Sequence, residues 1–435
     1  MKFAKRFSLL LLTVVFTSTI LFAETANNFA IQISDLLDTV NQKDLWAVRD
    51  WLRTKRVALN NKTGDFSIAG DVKTQWRNVH EHLGSVNIVN GAASPSTWSN
   101  NLYTVDFRLF FDYKSDKTWV SVKLDFDEAA GLFQGQADNL ALTRANMGYH
   151  LFDDGNVRLD VMVGRQRAFE LYNSQIQFNS TLDGFTGIYT MSIDSLCEFS
   201  VHGGGYVFNA VANHPVWIIQ GGVYDILDTG IYFIYSFVDW HKNTSSTLVT
   251  SAPSGESLRI GSEAWAFRNN QFILGYAFNP EVFGRDVRLY GGILWNALAR
   301  PRAMEALSDG VVHSSQNLAG WIALQIGSVQ KGGDWAFQAQ WQVLQPYSVP
   351  DWDVAGMGRG NGSDSALFGI NPFSKPQNFP GNGNANYNGW ELDALYSVTN
   401  ELVLEARFQR ALSATSTVGK PSNYTNFLLA AIYGF

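Results

Sequence analysis

Phe427-Leu428-Leu429-Ala430-Ala431-Ile432-Tyr433-Gly434-Phe435 is the stretch that decides the fold. Counting back in twos gives Phe435, Tyr433, Ala431, Leu429 and Phe427, an uncharged apolar face with aromatic residues at both ends. Side chains at alternate positions of a strand share one face. A chain that stops on such a strand leaves nothing after it to cover the edge, and in water that edge invites aggregation. The pattern suits a strand that closes a barrel in lipid, with aromatics at the interfaces. The last strand of a soluble β-protein is the alternative.

The opposite end agrees with export. Lys2, Lys5 and Arg6 precede an apolar run from Phe7 to Phe22, and Ala23 offers a small residue for cleavage. Residues 1–23 therefore read as a secretory signal peptide, with Leu21-x-Ala23 as an imperfect cleavage site. No later segment has the roughly 18 apolar residues that a transmembrane helix needs. Cys197 is the only cysteine, which rules out a disulfide framework and leaves none near the cleavage site for a lipid anchor. The 435 residues include 38 Gly, 16 Tyr, 14 Trp and 30 Phe, with only 16% charged. A soluble domain usually carries about 25%. Mean hydropathy is close to zero although 46% of residues are hydrophobic, as expected where lipid-facing and water-facing positions alternate. The formal charge is −7, and −10 without the three leader cations, which argues against a nucleic-acid partner.

Along the chain, residues 24–63 stand apart. Ile33, Leu37, Val40, Leu45, Val48 and Leu52 recur at spacings of three to five. This predicts an amphipathic helix over about 33–54 in a periplasmic segment, begun by Ser34 and ended by Arg49, Arg53, Lys55 and Arg56. A spacer, a lumen plug and an oligomerisation helix all fit it. From Gly64 to Phe435 the period is two. Phe66, Ile68, Val72, Thr74 and Trp76 oppose Ser67, Asp71, Lys73, Gln75 and Arg77, and Trp335, Phe337, Ala339, Trp341 and Val343 oppose Gln338, Gln340 and Gln342. Tight turns are expected at Ser115-Asp116, Asp153-Asp154-Gly155, Asn269-Asn270, Lys331-Gly332-Gly333 and Thr399-Asn400. Long connections are expected at 80–101, 127–139, 166–183, 241–257, 299–317 and 345–388. Seventeen candidate strands result, which clashes with two termini on one side of the membrane. The clash falls between about 258 and 300. The expected fold is all-β: a single transmembrane antiparallel β-barrel of 16–18 strands over 64–435, with a short N-terminal helix. The segment 345–388, the longest connection, reads as a pore constriction, a lid or an exposed loop.

No catalytic signature emerges. His80-Glu81-His82 puts two imidazoles on one strand face but lacks a visible third metal ligand, and polar residues are ordinary where a strand runs into a loop. No G-x-S-x-G elbow is present. Gly203-Gly204-Gly205 precedes no helix with a lysine and reads as room for a bend or a bulky neighbour. By parity, Asp71, Lys73, Arg77, Asp106, Arg108, Lys123, Asp125, Arg144, Arg158, Asp160, Glu391, Asp393, Glu405 and Arg407 face inward as pore-lining candidates. Such charges hold water and set a transverse field, or brace the wall as solvated pairs. Arg144, Arg165 and Arg167 bring positive charge near 166–183, which suits anion passage.

The final strand resembles the C-terminal signature of bacterial outer-membrane barrels, which the insertion machinery reads. That resemblance casts Phe427, Tyr433 and Phe435 as an assembly signal. "GDFSIAGDVKTQWR" at 64–77 is similar to the first strand of porins of Gram-negative bacteria. "KTWVSVKLDFDEAAGLFQG" at 117–135 and "VGRQRAFELYNSQIQFNSTLDGF" at 163–185 resemble porin-like proteins of chlamydia-related bacteria. The resemblance implies an outer-membrane diffusion channel for small hydrophilic solutes and ions, not an enzyme and with no cofactor. Its expected partners are outer-membrane lipid, the barrel-assembly machinery and the solutes, with a homo-oligomer left open. It carries no defined site residues. The alternatives are an adhesive or structural barrel that binds a host or partner surface through its long loops, and a barrel enzyme acting on lipid or peptide.

Overall fold

Period-two patterning is realised as sixteen long strands in one closed antiparallel barrel. The computed structural model describes residues 57–61, 64–83, 86–88, 91–93, 96–129, 139–209, 214–241, 248–251, 257–260, 267–278, 284–299, 315–350, 353–357, 385–415 and 422–435. The leader, the helix expected at 33–54 and residues 358–384 of the longest connection lie outside these. The barrel strands are β1 (Gly64–Leu83), β2 (Ser96–Lys114), β3 (Thr118–Ala129), β4 (Asn139–Asp153), β5 (Val157–Arg167), β6 (Thr181–Ile193), β7 (Cys197–Asn209) and β8 (His214–Tyr224). They continue as β9 (Ile231–Trp240), β10 (Phe267–Phe278), β11 (Val287–Asn296), β12 (Leu318–Gly327), β13 (Trp335–Leu344), β14 (Tyr387–Ser397), β15 (Leu402–Leu412) and β16 (Ser422–Gly434).

Each strand pairs with the next, and β16 returns to β1 in a register running from Asp71 opposite Gly434 to Leu83 opposite Ser422. Closure removes the free edges that an open sheet would present. At the seam the Gly70 and Phe435 backbones exchange N–H···O bonds of 2.9 Å in both directions. The Phe435 ring stacks on Phe107 at 6.3 Å, over the space that a side chain at residue 70 would fill. Val57–Asn61, which follows the helix expected at 33–54, forms a short strand paired with Gly64–Ile68.

Asn269-Asn270 is not a turn. Both residues lie inside β10, Asn269 opposite Val238 on one side and Asn296 on the other. The Asn270 side chain accepts a bond from the Tyr235 hydroxyl at 2.8 Å, while buried Asn269 donates to Gln177. The usual turn-forming tendency of paired Asn is outweighed by side-chain partners on both faces of the sheet. The surplus seventeenth strand disappears with it: Leu248–Ser251 and Ser257–Ile260 make a small hairpin of their own within the connection after β9.

Along the strands, exposed and buried positions alternate, most regularly in β14, where exposed Trp390, Leu392 and Tyr396 alternate with buried Glu391, Asp393 and Ser397. In a closed barrel the buried register faces the interior. The exposed register carries large apolar residues on strand after strand, among them Trp217, Leu274, Ile293, Ile322 and Leu429. On β16, exposed Phe427 and Tyr433 lie six residues apart, about 20 Å along the strand at 3.3 Å per residue, or about 15 Å of membrane depth at a barrel strand's usual tilt, within the roughly 25 Å apolar band.

Candidate constriction inside the barrel

Part of the interior is filled by the chain itself. After β5, residues 168–180 turn inward. A 3-10 turn at Ala168–Glu170 starts the loop, and the Ala168 N–H donates to the Ser180 carbonyl at 2.9 Å to close its base. Its apolar side chains, Phe169, Tyr172 and Phe178, pack against Tyr206, Val216, Ile218, Val238, Trp240 and Phe267 on the inner faces of β7 to β10. Gly203-Gly204-Gly205 lies beside this contact. A side chain at Gly204 would overlap Tyr206, and one at Gly205 would overlap the Trp217 ring. With that space kept free, the Tyr206 hydroxyl sits 2.6 Å from that of Tyr172 and 2.7 Å from that of Thr186.

The polar side of the loop is held by amides of the opposite wall. Gln220 accepts from the Asn173 N–H at 3.0 Å and donates to the Asn173 carbonyl at 3.2 Å, and Gln271 donates to that same carbonyl at 2.8 Å. The Ser174 hydroxyl donates to Gln271, and Gln342 donates to the Gln175 carbonyl at 3.1 Å. Glutamines spaced along β8, β10 and β13 thus satisfy loop backbone that would otherwise be buried without partners, a condition that costs about 1–3 kcal/mol per group.

A second connection locks the first. Residues 345–350 and 353–357, following β13, bury Tyr347, Val349, Val354 and Met357. The last three pack with Ile176 of the first loop in one apolar cluster. The Asp353 carboxylate, fully buried, accepts the backbone N–H groups of Phe178 at 3.0 Å and Ser180 at 3.1 Å, and its carbonyl accepts that of Asn179 at 3.1 Å. Phe178 holds a φ of 77°, which a bulky residue adopts only when its surroundings impose it. Burial pushes the Asp353 carboxyl up to about 7, against the pull of these N–H donors.

The rest of the interior, on β14 and β15 and on β1 through β5, is charged, with uncharged β16 between them. Asp71 accepts from Arg108 at 2.7 Å. Lys73 reaches Glu405 at 2.9 Å, and Arg407 bridges Glu405 and Asp393 at 2.7 Å each. Glu391 accepts from Gln340 and Gln409. Lys123 and Arg167 share Asp125 at 3.2 Å. Arg144 holds Glu170 of the inward loop at 2.7 Å, and Asp160 is shared by Arg158 at 2.8 Å and His150 at 2.6 Å. Half-buried Arg77 is on the same register as Asp71 and Lys73, and half-buried Asp106 lies opposite Lys73.

One placement differs from a reading of sequence. Arg165 does not join Arg144 and Arg167: it turns to the other face and pairs with Asp183 through bonds of 2.7 and 2.8 Å, both side chains well exposed. Strand alternation dictates this, because its neighbour Gln166 takes the buried register. His80 and His82 are exposed while Glu81 between them is buried. Among the described residues no three His, Cys, Asp or Glu side chains are placed to hold a metal ion. Glu170, His150 and the amides of Gln220 and Gln271 were not singled out in the sequence. Only the length of 166–183 and the period-two glutamines of β13 signalled this arrangement.

No protein-family model matches the chain, and no curated protein matches it. Among solved structures, OprB of Pseudomonas putida aligns at a TM-score of 0.49 and 12% identity, covering 89% of this chain and 96% of that one. OmpF of Salmonella typhi in complex with daunomycin aligns at 0.45 and 10%, covering 87% and 100%. The outer membrane channel DcaP of Acinetobacter baumannii aligns at 0.43 and 11%, covering 87% and 100%. Agreement at this level adds nothing to the architecture that the closed strand register already establishes.

Proposed function

We propose that the chain is an outer-membrane porin of a Gram-negative bacterium, a passive channel for small hydrophilic solutes and ions. The observation that carries this reading is the inversion of polarity across one closed wall: apolar and aromatic outside, charged and amide-bearing inside. Lipid accepts only structures whose backbone groups are internally satisfied, and the closed barrel is one of the two that qualify. The inner charges offer a solute fixed dipoles in exchange for part of its hydration. Loop 168–180, held by the amide wall and by Asp353, narrows the passage toward the charged side. Such a device needs no cofactor and no catalytic group. The finer form of this proposal, a kinship with porin-like proteins of chlamydia-related bacteria, rests on the sequence resemblance of 117–135 and 163–185 alone.

The test is single-channel recording of refolded residues 24–435 in a planar bilayer. Discrete, stable current steps are expected. Protein that inserts and shows the shift in gel mobility on heating of a folded barrel, yet passes no current, would overturn the reading in favour of a closed or adhesive barrel.

A further inference from the structure

The charged wall is not symmetrical in depth. Arg158 is 29% exposed where its partner Asp160 is 7% exposed. Arg407 is 16% exposed against 2% for Asp393, and Arg108 is 11% against 0% for Asp71. The same order holds for Arg144 over Glu170 and for Arg167 over Asp125. Lys123 is the exception, sitting deeper than Asp125. In these pairs the carboxylates lie against the wall and the guanidinium groups stand in front of them, toward interior water, while Asp106 and Asp112 on β2 are half-buried.

Charge that reaches water governs what a passing ion meets, because a group buried behind its partner is partly neutralised. Three described acids lie away from the passage. Asp153, Asp154 and Asp225 are exposed at the tight-turn end, where their carboxylates accept backbone N–H groups of the turns. On the other side of the interior, the amide wall is neutral and occupied by loop 168–180. A solute therefore passes along the arginine side.

We infer that the passage favours small anions, those bearing a carboxylate or phosphate group, over cations of the same size. This rests on the channel reading above and names its solute class. It runs against the net charge of residues 24–435, −10 from 29 basic and 39 acidic residues, which alone would favour cations.

The experiment is the reversal potential of the refolded protein across a potassium chloride gradient. Chloride is expected to permeate better than potassium in dilute salt, because a lumen presenting one sign of charge concentrates the opposite ion. The preference should shrink as ionic strength rises, because the screening length falls from about 10 Å at 0.1 M to about 3 Å at 1 M. Arg158→Gln with Arg167→Gln should move the ratio toward one. An unselective or potassium-preferring channel overturns this inference while leaving the porin reading intact; absence of current overturns both. If the double variant does not fold, the sign of the wild-type reversal potential still decides the matter.

Discussion

Replacing Asp353 with Ala tests whether the second connection holds the first in place. The change strips the acceptors from two buried N–H groups, those of Phe178 and Ser180, and leaves the backbone bond from Asn179. Each orphaned group costs about 1–3 kcal/mol, and relief from burying the carboxylate offsets part of the sum, so the net loss is about 2–4 kcal/mol. At 1.4 kcal/mol per tenfold, that shifts the balance between seated and unseated loop by roughly 30- to 700-fold. The pH dependence has a defined sign. Burial raises the carboxyl from 3.8 to about 7 when the loops are seated, so the seated form binds its proton more tightly. Its contribution is complete below about 3.8, declines as pH rises, and is gone above about 7. Wild-type single-channel current should thus become larger or noisier between pH 5 and pH 8. The Ala variant should be noisy throughout. Asp353→Asn, which keeps one acceptor and cannot ionise, should fall between the two and show no trend with pH. An Ala variant with wild-type conductance and noise, or a wild type that quietens as pH rises, would refute the reasoning.

Two further perturbations address the wall and the seam. Ile322→Arg places a charge at an exposed position midway along β12 and should cost about 2–4 kcal/mol of folding free energy in a bilayer, measured by denaturant titration in vesicles; no loss would mean that this surface does not meet lipid. Removing Phe435, or adding a side chain through Gly70→Leu, should slow or block assembly, because the first deletes both seam hydrogen bonds and the second displaces the Phe435 ring. Heat-modifiable protein forming at the wild-type rate would count against the assembly role of that residue.

The barrel was legible because its signal is local. Apolar alternation in 64–77, in 335–343 and in 427–435 reads directly as strand, and parity separates one face from the other. Inner partners such as Asp71 and Arg108 were visible as candidates but not as a pair, since their contact depends on the register between β1 and β2. Seating of 168–180 was not legible. The loop has no strand pattern, and its holding groups lie far away in sequence, with Gln220 47 residues from Asn173 and Asp353 175 from Phe178. Length marked both 166–183 and 345–388 as long connections, but length does not report burial. Asn269-Asn270 misled because local turn propensity cannot register a partner 92 residues away, the separation of Asn269 from Gln177.

The glutamine berth for loop 168–180 also sets an order of construction. The loop belongs to the hairpin of β5 and β6, yet Gln271 and Gln342, which fix it, are supplied by β10 and β13. Whichever end of the wall forms first, the loop cannot come to rest until β10 and β13 both stand in place. Asp353, in the connection after β13, supplies the remaining backbone acceptors. A wall lacking either strand therefore holds no seated loop, and a barrel stalled at that point would leak more than the finished one.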